Sequence, residues 1–203
     1  MNTLEKIQGV LALRDRFAAD IPHSDQVRRL AESIFDQLKQ LPLCDGEDPV
    51  YLIAGALLHD IGQWIDLQQH EKHSQALILK HGLPGFNDLE LRVIACIARY
   101  HRRTNPEVRH PEFVDLPVEW QNTVRIAASI LRIADGLDEQ HQNTVQNIEI
   151  QIKGQTANFY LTGTNLGNEI KAAILKRNLF EETLQLKCKF ITLNSAESKN
   201  IGS

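Results

Sequence analysis

An imidazole and a carboxylate stand side by side at His59-Asp60, at the end of the apolar run YLIAGALLHD (51–60). Both groups ligate metals, but neighbouring side chains on a helix diverge by about 100°. They can reach one ion only at a helix end, or with partners supplied by other helices. Such partners exist in His23, near the start of an earlier helix, and Asp135, within LRIAD (131–135). Two imidazoles and two carboxylates form a mixed nitrogen and oxygen set that suits Mn, Fe, Co, Ni or Zn better than Ca. Asp135 falls on the apolar stripe of its helix, beside Leu131, Ala128 and Ile126, and Asp60 closes an equally apolar one. A carboxylate in such a place is costly unless a cation pairs with it. Taken singly, His59 reads as a hydrogen-bonded core histidine, and Asp135 as a cap or as a buried ion pair with Arg132. The four residues together, spread over three helices, point to a divalent-metal site.

The order His23, His59-Asp60, Asp135 resembles the signature of the HD-domain phosphohydrolases, helical enzymes that bind a divalent metal through these four positions. LLHDIGQ (57–63) is its most specific piece. HEKHSQALILKHGLPGFNDLE (70–90), IARYHRR (97–103) and LRIADGLDEQH (131–141) are similar to the C-terminal region of the exopolyphosphatase and guanosine-pentaphosphatase family, over about residues 20–190. The resemblance implies an HD-like helical domain with a small α+β tail; in the family an actin-like ATPase-fold half precedes them. This sequence shows no Gly-rich phosphate loop, so a stand-alone protein without that half is expected, and polyphosphate hydrolysis is not carried over.

Two-metal HD enzymes place two more histidines between the HD pair and the last aspartate, with the HD aspartate bridging the ions. His73 and His101 hold those positions. His70, one helical turn from His73, is an alternative to it. Otherwise these histidines hydrogen-bond within the core or touch substrate phosphate. The resemblance therefore implies metal ligation by His23, His59, Asp60, His73, His101 and Asp135, with Asp60 and His101 as catalytic residues. The expected cofactor is one or two divalent ions of Mn, Fe, Co, Ni or Zn, with Mg as a further option. Arg102 and Arg103 are candidates for gripping substrate phosphate, since a guanidinium fork matches phosphate oxygens, and Lys72 and Arg99 are weaker ones; each also reads as a solvated charge. Arg132 could orient Asp135. His81, His110 and His141 read as surface or loop residues.

Apolar spacing predicts the helices that must position these groups. They span 3–18, 24–41 after a break at Ile21-Pro22, a stretch from Asp48 or Pro49 to the HD pair, and 71–81, closed by Gly82 to Gly85. Gly62 is expected as a left-handed C-cap. Asn87 and Glu90 form a capping box for a helix through Tyr100 and His101. A proline-rich loop follows at 104–117, then a long helix at 118–140. Past His141 the period changes to two: Ile148, Ile150 and Ile152 before Gly154, and Asn158 to Thr162 before Gly163, predict a hairpin. Helical spacing returns at 167–180, and Leu184 to Leu193 suits a strand. The fold class is mainly α, an HD-domain helical bundle over 1–145, with a small C-terminal α+β appendage (β-hairpin, helix, strand) over 146–193 and a disordered tail over 194–203.

At 203 residues, 42% hydrophobic and 24% charged, the chain can bury a sizeable core. A net charge of -4 argues against a broad nucleic-acid surface but allows a small phosphorylated substrate at a metal. Cys44, Cys96 and Cys188 form no CxxC pair and suit a reducing compartment. With no signal-like start and no apolar run of membrane length, a cytoplasmic protein without a membrane partner is expected. A homodimer would be one way to cover the apolar side of 3–18. The expected function is a metal-dependent phosphohydrolase, a phosphatase or phosphodiesterase. It would hydrolyse a phosphoester or nucleotide through metal-activated water. The alternative is a non-catalytic metal-containing module that binds a ligand or a protein.

Overall fold

The computed structural model describes residues 2–18, 20–102, 104–107 and 109–193. Arg103 and the tail expected over 194–203 lie outside the described residues. The helices are α1 (Thr3–Phe17), α2 (Ile21–Leu38), α3 (Pro49–Leu58), α4 (His70–His81), α5 (Asp88–Arg99), the single turn α6 (Pro111–Val114), α7 (Val118–Gly136), α8 (Gly167–Lys176) and α9 (Asn178–Leu184), with a 3-10 turn at Ile61–Trp64. The strands are β1 (Val145–Lys153), β2 (Thr156–Gly163) and β3 (Lys187–Thr192). The fold is mainly α with a small C-terminal α+β segment, as the change of period predicts. No helix among the described residues is long and apolar enough to cross a membrane.

The molecule is organised around α3. Asp48 caps it by accepting from Val50 N, and Pro49 occupies its first turn, where a missing N–H costs nothing. Its side chains are apolar on every face because α1, α2, α5 and α7 surround it. Gly55 allows a close crossing with α5: a Cβ there would lie 2.4 Å from Ile97 Cγ2. The ends of α3 and α5 therefore emerge together. The apolar side of α1 (Val10, Leu13, Phe17) is covered by this same chain, through α3 and the 3-10 turn.

Several boundaries differ from the pattern-based ones. α2 starts at Ile21 rather than 24, because Asp20 caps it through His23 N and Pro22 is tolerated in a first turn. The break thus lies one residue earlier, and His23 becomes the third helical residue. The 104–117 loop contains the turn α6. α7 ends at Gly136 rather than 140, which leaves Asp138 and His141 in a turn. Gly62 is not a left-handed cap; it lies in the 3-10 turn, where a Cβ would meet His70 O at 2.1 Å and Ser74 N at 2.4 Å. Its bare α-carbon lets the start of α4 press against the chain just after the HD pair.

β1 and β2 form the expected antiparallel hairpin, and Gly154 (φ 58) supplies the left-handed residue its tight turn needs. β3 joins β2 in parallel through the crossover α8–α9, giving the order β1-β2-β3. The outer edge of β1 faces α2, where Gln37 imitates a strand: its Nε2 donates to Ile148 O at 3.0 Å, and its Oε1 accepts from Ile150 N at 2.7 Å. Gln26 Nε2 likewise donates to Val145 O. One cluster of buried apolar side chains runs from Val10 through the helices to Phe159, Phe180 and Cys188.

Phe159 is fully buried, edge-on to Phe180 at 5.6 Å. Truncation there should be felt by the whole core. Phe159→Ala should lower stability by about 3–5 kcal/mol, with far-UV circular dichroism and tryptophan fluorescence reporting one shared urea transition.

Candidate metal centre

Five helix ends converge on one point. His23 lies in the first turn of α2, His59 caps the C-terminus of α3, and Asp60 follows it. His70 opens α4, His101 comes just after α5, and Asp135 occupies the last turn of α7. At the C-terminal ends of α3 and α5 the last carbonyls lack helical partners and can fix an imidazole, and a loop carbonyl before α4 does the same. His59 Nδ1 uses Ala56 O at 2.7 Å, His70 Nδ1 uses Leu67 O at 3.0 Å, and His101 Nδ1 uses Ala98 O at 2.6 Å. Each carbonyl lies three residues upstream. Each fixes the proton on Nδ1 and turns Nε2 towards the centre. For His23 the same task falls to Asp138, whose Oδ2 is 2.8 Å from Nδ1.

The Nε2 atoms of His23 and His59 are buried and have no hydrogen-bond partner. They face Asp60 Oδ2 at 3.9 and 3.6 Å, and Asp135 Oδ1 at 3.6 and 3.8 Å. Around a divalent ion with bonds of about 2.1 Å, neighbouring donors stand about 3.0–3.5 Å apart. The spacing here is slightly wider, too long for hydrogen bonds and suited to a shared ion. The other oxygen of Asp60, Oδ1, lies 2.9 Å from His70 Nε2 and 3.5 Å from His101 Nε2, and these two nitrogens are 3.2 Å apart. Two donor groups that can hold a metal ion thus share Asp60: His23, His59 and Asp60 with Asp135 beside them, and Asp60, His70 and His101.

Charge and burial set the protonation pattern. Burial lowers His59, and burial with the neighbouring His59 takes His101 down to about 3, so both are neutral imidazoles with a lone pair to give. Burial would also lower His23, but the carboxylates of Asp135 and Asp138 reverse this and push it up to about 10. His70 is raised by Asp60 against the effect of its burial. Burial opposes ionisation of Asp60 and Asp135, yet both are held below the usual carboxylate range, Asp60 chiefly by His59 and His70, Asp135 chiefly by Lys176 and His23.

Four of the six residues expected as ligands through the HD-type pattern, His23, His59, Asp60 and Asp135, come together, and His101 joins them. His73 does not. Three residues further along α4 place it about 4.5 Å along the helix axis from His70, and it belongs to neither group; His70 takes the place assigned to it. Arg102 reaches the site, its Nη1 3.2–3.4 Å from the ring nitrogens of His70. Lys72 does not: it is exposed, its Nζ 2.6 Å from Gln69 Oε1. Arg99 is engaged with Glu71 and Glu112, linking α5 to its neighbours. Arg132 is not the partner of Asp135. It is 1% exposed and clamps the 100–105 stretch by donating to Tyr100 O, Thr104 O and Asn105 Oδ1.

The partner of Asp135 is Lys176, at the end of α8, with Nζ 2.8 Å from Oδ2. Ser74 was also hidden from sequence reading; its hydroxyl donates to His59 O at 2.6 Å and accepts from Gly62 N at 2.9 Å, tying α4 to the HD pair. His141, read as a surface or loop residue, is in a surface turn but has a further role. In a left-handed conformation (φ 55), it stacks on His23 at 3.7 Å, and its Nδ1 is 2.9 Å from Asp20 Oδ2. His81 is exposed, as expected, and His110 stacks on Tyr100. Asp60, Gln63, His70, His101, Arg102, Asp135, Glu139, His141 and Lys176 line a polar cup of about 180 Å³.

The sequence matches the family described as Ppx/GppA phosphatase, domain III, over residues 6–183. The chain belongs to this family. The match runs from α1 into α9, so every donor named above, together with Lys176, lies inside the domain III region. The Ppx/GppA relationship drawn from 70–90, 97–103 and 131–141 therefore stands, and the family is a phosphatase-related one.

Asp138 is fully buried and also accepts from Asn143 N at 2.8 Å, so it is held rigidly behind His23. Asp138→Asn keeps the shape but gives up the charge that orients the ring. The affinity for any divalent ion held by these donors, measured with Mn(II) by isothermal titration calorimetry, should fall about 10–100-fold, with the circular dichroism spectrum unchanged.

Proposed function

We propose that this protein is a metal-dependent phosphohydrolase of the HD type, hydrolysing a phosphoester or nucleotide with metal-activated water. The observation that carries this reading is Asp60, a single carboxylate shared by two groups of donors at the floor of a polar cup. His23, His59, Asp60 and Asp135 would hold one divalent ion, and Asp60, His70 and His101 a second. The mixed imidazole and carboxylate set favours Mn, Fe, Co, Ni or Zn. A bound ion supplies a polarised phosphoryl oxygen and a hydroxide nucleophile near neutral pH.

The chain's own groups do the rest. Arg102 sits on the rim, beside His70, where a guanidinium can take phosphoryl oxygens and offset the charge that builds on them. The cup, at about 180 Å³, suits a phosphoryl group rather than a whole nucleotide. Two larger clefts meet it at Arg102. One, of about 340 Å³, is lined by Leu67, Gln68, Gln69, Glu71 and Thr104; the other, of about 430 Å³, by Arg132, Leu175, Lys176 and Asn178. The body of a small phosphorylated substrate would lie in one of these, with the scissile group turned down into the cup.

Turnover of Mn(II)-loaded protein on a panel of phosphomonoesters, phosphodiesters and nucleotides tests this. At least one class should be cleaved, and chelation should abolish the activity until metal is returned. Asp60→Asn should lower the rate by about 10²- to 10³-fold or more and reduce metal content for both groups. Metal-loaded wild type that cleaves nothing on the panel would sink the proposal. His70→Ala, which strips only the second group, should leave a chain that still binds one ion by elemental analysis.

A further inference from the structure

Lys176 enters the cup from α8, an element of the C-terminal α+β segment, and lies between Asp135 and Glu139. Its Nζ is 2.8 Å from Asp135 Oδ2 and 2.8 Å from Glu139 Oε2. The opposite oxygen, Asp135 Oδ1, is the one facing His23 Nε2 and His59 Nε2. The two oxygens of one carboxylate are therefore divided between an ammonium and the donor cluster. A carboxylate can meet a divalent ion through one oxygen or both. An oxygen held by an ammonium at charge-assisted distance is withdrawn from that choice.

The reach of Lys176 depends on a contact that leaves no room for a side chain. A Cβ on Gly136 would lie 2.8 Å from both Cα and N of Ala173 and 3.1 Å from Ala172 C. The end of α7 and the middle of α8 thus touch backbone to backbone. Lys176 follows Ala173 by three residues, about one turn, and so comes down beside Asp135, the neighbour of Gly136. Widening this crossing moves the ammonium away from the carboxylate without changing any donor.

From this division we infer that Lys176 is a positioning residue. It restricts Asp135 to one-oxygen ligation and so keeps a coordination position open for water, while Gly136 sets its reach. The inference rests on the proposed binding of a divalent ion among His23, His59, Asp60 and Asp135. A lysine that only balanced charge would behave differently: its removal would strengthen cation binding and leave the number of bound waters alone.

Water-proton relaxation by bound Mn(II) counts exchangeable waters on the ion and needs no substrate. Mn(II) is added below one equivalent, so that the larger donor group fills first, and its binding is followed by electron paramagnetic resonance. Relaxivity per bound ion should fall in Lys176→Met by the contribution of one water, and Lys176→Arg should restore it. Gly136→Ala, with the lysine chemically intact, should shift relaxivity in the same direction; melting of the metal-free proteins checks that each is folded. Lys176→Met with wild-type relaxivity per bound ion would overturn the inference and leave the metal centre standing. If that variant does not fold, unchanged relaxivity in folded Gly136→Ala overturns it instead. Wild type that binds no Mn(II) removes the metal reading and this inference together.

Discussion

Asp60 and Asp135 carry negative charge into a largely buried place, and much of the surrounding structure answers that cost. Asp135 is 8% exposed, yet it stays ionised because Lys176 and His23 flank it. Asp60 is bordered by four imidazoles, two at each oxygen. An isolated carboxylate in such surroundings would take up a proton. Here the neutral imidazoles His59 and His101 present lone pairs to the same space. Carboxylates and lone pairs facing one another are an arrangement that a cation completes. The same carboxylates raise the proton affinity of His23 and His70.

The donors stand at helix ends rather than on helix faces. Mid-helix carbonyls are committed to the backbone ladder, whereas those at the ends can fix an imidazole. Ala56 and Ala98, in the last turns of α3 and α5, do so for His59 and His101, while Leu67, in the loop before α4, serves His70. Close packing then brings the ends together. Gly55 lets α3 approach α5, and Gly62 lets α4 settle against the turn that follows Asp60. Small residues thus set the spacing of large ones. A methyl added in either place would overlap atoms of the neighbouring element, the Ile97 side chain of α5 or the His70 carbonyl of α4.

The C-terminal α+β segment shares the apolar core of the helices and closes the edge of its sheet on Gln37 of α2. It also sends Lys176 and Asn178 to the walls of the cup and the adjoining cleft. The cup is therefore built by both parts of the chain. Its rim on the other side is the turn after α7, where Asp138 and His141 brace His23 from two directions.

The sequence by itself determined which groups are at stake. His59-Asp60 closing an apolar run, and Asp135 on an apolar stripe, are local signals, because burial follows the 3.6-residue period of a helix. The capping box at Asn87 and Glu90, and the hairpin closing at Gly154, are equally local and are found where predicted. What only the tertiary structure decided is partnership across the chain. His70 is preferred to His73 because of where α4 begins against the turn at Gly62, and Lys176 replaces Arg132 beside Asp135 because α8 rests on Gly136. Asp138 acts on His23 from 115 residues away. A helical period fixes which residues face inward, but not which face meets which neighbour. That is settled by close contacts between backbones far apart in sequence.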